Sequence, residues 1–239
     1  MSQLILVRHG QASFLSDNYD QLSPLGEEQS RLLGDFWARR NVTFDALFTG
    51  PRERQIKTGE IVVDSYRKAG LEIPALVLLE EFDEYDADGI MRHLLPQLIE
   101  QDDRYRQLQS AFKQSETSAD KHKNFQKLFE AITAKWVRGE VLSPEVESFA
   151  DFHARVRRGL ERATTGEGSG KRVAVFSSGG AISVSIQLAT KAPEQIVIEY
   201  NWRIRNCSLN EIVFTKDRFS LDVFNAIPHL DDPHLQTYR

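Results

Sequence analysis

One cysteine, Cys207, is all the chain has in 239 residues, and two methionines are the only other sulfur. A lone thiol excludes an internal disulfide framework and any cysteine-rich zinc site. The six histidines are His9, His93, His122, His153, His229 and His234, and none of them forms an i,i+4 metal-ligand pair. Long apolar runs are missing too. Leu4–Val7 is too short for the hydrophobic region of a signal peptide and ends at once in Arg8-His9. No stretch approaches the roughly 20 apolar residues that a membrane-spanning helix needs. Strong charge of either sign is also absent, with 30 Lys and Arg against 35 Asp and Glu and a formal net charge of -5. That balance argues against bulk binding to nucleic acid or a membrane surface, while leaving room for a local cationic pocket. The expectation is a cytoplasmic protein, with no nucleic-acid or membrane partner.

What is present is an alternation of short apolar runs with amphipathic stretches, the pattern of an α/β protein. Leu4–Val7 reads as a strand, continuous enough in apolar residues to be buried on both faces, Ala46–Phe48 as a second short strand, and Ala75–Leu79 and Val173–Phe176 as further buried strands. Ser23-Pro24 reads as an N-cap followed by proline at the first helical position, and Arg52 to about Lys68 as a second helix stopped by Gly70. From about 86 to 162 no strand is evident. Ile90–Ile99, Phe125–Trp136 and Phe149–Leu160 give amphipathic helical faces, and the polar stretch Gln107–Lys123 between them reads as a mobile or solvated connection. This block is expected to be a helical insertion within a single domain spanning 1–239. Ser208–Thr215 and Phe219–Asn225 read as a closing hairpin.

Two polar sequences follow buried strands directly: Arg8-His9-Gly10 and Ser178-Gly179-Gly180. Ligands of open α/β sheets bind beyond the carboxyl ends of strands, so these are the places to look for chemistry. A histidine there can serve as base, metal ligand or nucleophile. Arg8 beside it favours an anion, since a guanidinium is permanently charged and matches phosphate in a bidentate fork. Taken alone, the triplet also fits a strand-end Arg and His without a catalytic role.

The surrounding blocks carry more. Leu6-Val7-Arg8-His9-Gly10-Gln11-Ala12-Ser13, Leu22–Gln29, Thr49–Glu60 with Arg54 and Thr58, Leu79-Glu80-Glu81, Glu147-Ser148 with Arg155-Val156, Asn206-Cys207-Ser208, and Asn225 with His229-Leu230 together resemble the histidine phosphatase superfamily, in its phosphoglycerate-mutase-like branch. The resemblance runs the length of the chain, except for the helical insertion. It implies a three-layer α/β/α sandwich with a mostly parallel central sheet, helices on both faces and the insertion over the active-site end.

The same resemblance implies hydrolysis of a phosphate monoester, a phosphorylated small molecule or phosphoprotein, through a phosphohistidine. His9 would be the nucleophile. Arg8 and Arg54 would grip the phosphoryl oxygens, with Gln11, Ser13, Ser178 and Gly179 as further phosphate contacts. Glu81 would protonate the leaving alkoxide and then activate water, with Glu80 and Glu84 as alternatives in the same run. No cofactor or metal is implied, because the arginines supply the positive charge. On residue type alone Arg54 could be a solvated helix residue, and Gln11 and Ser13 could be surface loop residues.

One position departs from the family pattern, which ends its fourth strand in Ser-His-Gly-Gly. Here Ser178 stands where the second histidine belongs. Losing one charge-assisted hydrogen bond in the transition state costs roughly 1.5–3 kcal/mol, or roughly tenfold to a few hundredfold in rate. A weakened or inactive member that binds a phosphorylated ligand is therefore the alternative to a phosphatase. A mutase is disfavoured, because Ser13-Phe14-Leu15-Ser16 lacks the family's asparagine and Asn18 is displaced from its place.

Overall fold

The apolar run at the start becomes β1 (Ser2–Arg8), in which Leu4 to Val7 are almost wholly buried. In the computed structural model, which describes residues 1–13, 20–165 and 169–238, β1 lies inside a six-stranded sheet. The remaining strands are β2 (Ala46–Thr49), β3 (Leu76–Leu78), β4 (Arg172–Ser177), β5 (Leu209–Phe214) and β6 (Phe219–Ala226), in the order β3-β2-β4-β1-β5-β6. The first four of that order run parallel, and β5 and β6 add an antiparallel edge. Arg8 pairs with Ser177, and Thr49 with Phe176, so β1, β2 and β4 end at one level.

Alternation along β1 sends Ile5 and Val7 to one face and Leu4 and Leu6 to the other. Ile5, Val7, Leu47, Ala174 and Phe176 pack with Leu33, Trp37, Val62 and Tyr66 of α1 (Pro24–Arg39) and α2 (Glu53–Lys68). On the other side lies α8 (Gly179–Thr190), buried along nearly its whole length. The result is the expected three-layer arrangement. Ser23 caps α1 as its sequence predicts, accepting a hydrogen bond from Gly26 N, which satisfies one of the orphan donors of the first turn.

Contacts divide the chain into two compact units, Met1–Glu84 with Arg155–Arg239, and Tyr85–Ala154. The second is helical: α3 (Ala87–Gly89), a π-helical turn at Ile90–Leu94, α4 (Leu95–Gln101), α5 (Asp103–Lys113), α6 (Ser118–Val137) and the start of α7 (Phe149–Thr164). Pro96, which interrupts the apolar face in sequence, sits in the first turn of α4, where its missing N–H costs nothing. Tyr85, Phe129, Trp136, Phe149 and Phe152 form the aromatic core, with Trp136 and Phe149 rings 5.2 Å apart.

Two expectations need correction, and one element was missed. The polar stretch Gln107–Lys123 is largely helical, not a loose connection. Two anchors suffice: Tyr105 is buried with its hydroxyl on Ala131 O at 3.3 Å, and the Phe112 ring packs tilted against Phe125, centroids 5.6 Å apart. Asp102 and Thr117 side chains cap the two helices that replace it. The third strand is shorter than Ala75–Leu79 and is not the buried strand expected. As an edge strand it leaves Val77 and Leu78 half exposed. Finally α9 (Ile196–Arg203), following an αL residue at Lys191, was not legible as a helix.

Candidate active site

Three strand ends meet at the carboxyl edge of the sheet. His9 follows β1 and donates its backbone N–H to Ser177 O at 2.9 Å, and Gly50, following β2, donates to Phe176 O at 3.0 Å. The side chains that leave β1 and β4, His9 and Ser178, therefore start side by side. Gly10 lets the chain turn here: a Cβ on it would lie 2.3 Å from Gly26 O, so only glycine permits the β1 loop to lie against the first turn of α1. Gly10 N donates to Thr58 Oγ1 at 3.0 Å, and Thr58 in turn donates to Arg54 O at 2.8 Å.

His9 is buried, and its ring is fixed at both nitrogens. Nδ1 lies 2.7 Å from Gly10 O, and Nε2 accepts from Arg54 Nε at 3.1 Å. Because a carbonyl can only accept, the proton is on Nδ1 and the lone pair is on Nε2. Burial first, then the positive charges of Arg54 and Arg8, hold the imidazole pKa well below its ordinary value of 6.5, although the Gly10 hydrogen bond opposes them. The histidine is neutral at physiological pH.

Arg54 is nearly buried and reaches His9 through Nε and Asp20 through Nη1. Asp20 also accepts from Glu53 N at 2.9 Å, so its carboxylate spans the guanidinium and the N-terminus of α2, a place where an anion is favoured. Arg8 donates through Nη1 to Ile204 O. Gln11 Oε1 accepts from Ser23 Oγ at 2.9 Å, and Ser13 Oγ donates to Leu22 O at 3.2 Å. Those two side chains thus also tie the β1 loop to the turn before α1. A Cβ at Gly179 would fall 2.3 Å from Asn201 Oδ1, which places the amide of Asn201 at the mouth of α8.

The acidic run resolves into three different environments. Glu80 is exposed. Glu81, the expected acid, is ion-paired with Arg162 of α7, and its Cβ packs where Gly159 lacks a side chain. Burial pushes its pKa up, but the Arg162 hydrogen bond and the charges of Arg162 and Arg158 outweigh this and leave it below the usual carboxylate value. Glu84 instead reaches the strand ends: its Oε2 accepts from Gly180 N at 3.0 Å, two residues past Ser178. The loop that delivers it is anchored by Phe82 O, which accepts from Ser177 Oγ at 2.9 Å and Gln55 Nε2 at 3.3 Å. Arg155, on α7, holds the same loop by donating to Glu81 O and Asp83 O, both at 3.1 Å.

Sequence reasoning missed several members. Gln55 is fully buried and donates to Ser178 Oγ at 2.7 Å. A polar circuit closes behind His9: Gln11 N donates to Gln29 Oε1 (2.8 Å), Gln29 Nε2 to Thr237 Oγ1 (2.9 Å), Thr237 to Asn206 Oδ1 (2.9 Å) and Asn206 Nδ2 to His9 O (3.1 Å). Asn206 and Gln29 were visible within matched blocks, though with no role attached to either; Thr237 carries no local signal. Asn225, also in a matched block, clamps the preceding loop through Arg203 O and Arg205 N. Cys207 is buried beside Ser30, and burial pushes its thiol up to about 12, so it is no nucleophile. The loop residues Phe14, Leu15, Ser16 and Asn18, used above against a mutase, lie outside the described residues. No group of three or more His, Cys, Asp or Glu that could hold a metal occurs among the described residues, and no helix among them is long and apolar enough to cross a membrane.

Fold and geometry together define an α/β protein with a neutral, buried histidine between two arginines at the carboxyl ends of parallel strands. The chain belongs to the histidine phosphatase superfamily, branch 1, which matches residues 4–142 and 114–227. It is 28% identical over 182 residues to a 2-carboxy-D-arabinitol-1-phosphatase of Triticum aestivum, covering 70% of this chain and 33% of that protein. The chain thus spans about a third of the length of that relative. Among solved structures, a mycobacterial glucosyl-3-phosphoglycerate phosphatase superposes with TM-score 0.59 at 20% identity, over 94% of this chain and 98% of that one. A phosphoglycerate mutase from Bacillus anthracis str. Sterne gives 0.61 at 16%, over 96% and 95%. At such identities the likeness is one of fold.

Proposed function

We propose that this protein is a phosphatase that hydrolyses a phosphate monoester through a phosphohistidine on His9. The observation that carries the reading is the state of that ring: Nδ1–H committed to Gly10 O, and a lone pair on Nε2 facing the Arg54 guanidinium. Nε2 attacks phosphorus, and the P–O ester bond breaks with its electron pair going to the leaving oxygen. Arg8 and Arg54 stabilise the charge on the transferring phosphoryl group. To bind, that group takes over from the Asp20 carboxylate at Arg54.

In this reading the general acid and base is Glu84, in place of Glu81. Its support is the Gly180 hydrogen bond, which brings the carboxylate to the end of β4 beside Ser178, while Glu81 is paired with Arg162. An arriving phosphate dianion raises the affinity of a neighbouring carboxylate for a proton, and that proton passes to the leaving oxygen. In the second step Glu84 takes a proton from water as the water oxygen attacks phosphorus. The P–N bond then breaks and inorganic phosphate leaves.

A second reading, a ligand-binding member without turnover, is favoured by Ser178 in place of the second histidine. The two separate on a simple measurement. The phosphatase is expected to hydrolyse p-nitrophenyl phosphate without added metal, and His9→Ala to abolish the reaction. Wild-type turnover no higher than that of His9→Ala would favour the binding reading.

A further inference from the structure

Helix α8 opens with an N-cap serine whose hydroxyl does not cap it. Ser178 is fully buried, and its Oγ accepts from Gln55 Nε2 at 2.7 Å instead. Gln55 is equally buried and held at three points: Oε1 accepts from Arg52 N at 3.1 Å, while Nε2 donates to Phe82 O at 3.3 Å and to Ser178. The backbone N–H on Oε1 settles which way round the amide stands, so its NH2 group must face the serine. Ser178 Oγ is therefore an acceptor toward Gln55, and its single proton points elsewhere. No described residue accepts that proton. The serine leaves β4 beside His9, whose backbone N–H sits on Ser177 O.

We propose that Gln55 is a positioning residue, which turns the Ser178 hydroxyl proton toward the phosphoryl group at His9. The amide–hydroxyl pair then does with a neutral hydrogen bond what a histidine at 178 would do with a charged one. The proposal rests on the phosphate-site reading above. It accounts for Ser178 without requiring an empty or crippled pocket: the hydroxyl is diverted from its capping role, and the Glu84 carboxylate takes the Gly180 N–H instead.

The test is a double-mutant cycle over Gln55→Met and Ser178→Ala, read as orthovanadate affinity by calorimetry and as kcat and KM with p-nitrophenyl phosphate. Each single variant is expected to weaken vanadate binding roughly tenfold and to lower kcat more than it raises KM. The double variant is expected to be no worse than the weaker single one, because Gln55 acts only through Ser178. Unchanged affinity in Gln55→Met, or effects that multiply in full, overturns the proposal. Should Gln55→Met fail to fold, the wild-type fold serves: the Gln55 side-chain amide resonance should shift on adding vanadate, and should not shift in Ser178→Ala. A shift of equal size in both proteins contradicts the proposal. Vanadate binding without turnover would strike only the hydrolysis reading, since the cycle in affinity still decides the role of Gln55. Wild-type protein that does not bind vanadate overturns both.

Discussion

His9 illustrates how a residue's chemistry depends on two hydrogen bonds that its neighbours impose. A buried imidazole with one nitrogen on a carbonyl has one tautomer, and the two arginines keep it unprotonated. Its place after a buried strand was legible in sequence, because Leu4–Val7 can only be an interior strand and Gly10 marks a close backbone approach. The residue proposed as the acid was harder to place. Glu80, Glu81 and Glu84 lie within five residues, and the 3₁₀ turn at Glu80–Phe82 decides which of them faces the strand ends. No periodicity in the sequence encodes that turn. Glu84→Gln is expected to lower kcat roughly 10²–10⁴-fold on an alkyl phosphate such as glycerol phosphate. On p-nitrophenyl phosphate the loss in the first step should be smaller, because that leaving group departs without a proton. Glu81→Gln should leave kcat close to wild type. The reverse ranking would return the role to Glu81.

Elements that read well were those whose burial is uniform along their length. Strands β1 and β4, and helices α1 and α2 with their Ser23 cap and apolar faces, lie close to where the residues placed them. Elements held by one or two long-range anchors did not read, as α5 shows with Tyr105 and Phe112. The segment 233–238 belongs with these. It looks like an exposed tail, yet Thr237 joins Asn206 and Gln29 behind the His9 loop, with Asn206 N also donating to Thr237 O at 2.9 Å. Thr237→Val keeps the shape and the backbone bond but removes the hydroxyl from between two buried amides. An expected loss of about 1–3 kcal/mol in stability follows from leaving Asn206 Oδ1 without its donor. With it should come a fall in kcat greater than any rise in KM, since His9 O hangs from the same Asn206. Denaturant titration and steady-state kinetics on one preparation check both; a change in KM alone would contradict the positioning role of the circuit.

Across the whole molecule, stability and pH are linked through a second buried histidine. Among the described residues neither ring nitrogen of His229 finds a hydrogen-bond partner; the ring lies 5.9 Å from that of Phe36 and is pushed by burial down to about 4. In the unfolded chain it titrates at its ordinary value of 6.5. Between those values the unfolded state binds the extra proton, so stability falls as the pH is lowered from about 6.5 toward 4 and is unaffected above that window. The contribution lost by pH 5 is about 2 kcal/mol. His9, held low for the same first reason, acts in the same direction. His229→Phe should flatten the dependence, seen as a smaller difference in denaturation midpoint between pH 7 and pH 5 than in wild type. Equal slopes in the two proteins would mean that His229 does not remain neutral in the folded state.

The most direct measurement is rapid acid-free quenching of the wild-type protein during turnover of a phosphate monoester, followed by ³¹P resonance and peptide mapping of the denatured chain. The expected result is one phosphoryl group, labile to acid and stable to base, on Nε2 of His9, and none in His9→Ala. A phosphoryl group on Nδ1, on another residue, or absent while hydrolysis proceeds in both proteins, would contradict catalysis by the lone pair that Gly10 and Arg54 hold in place.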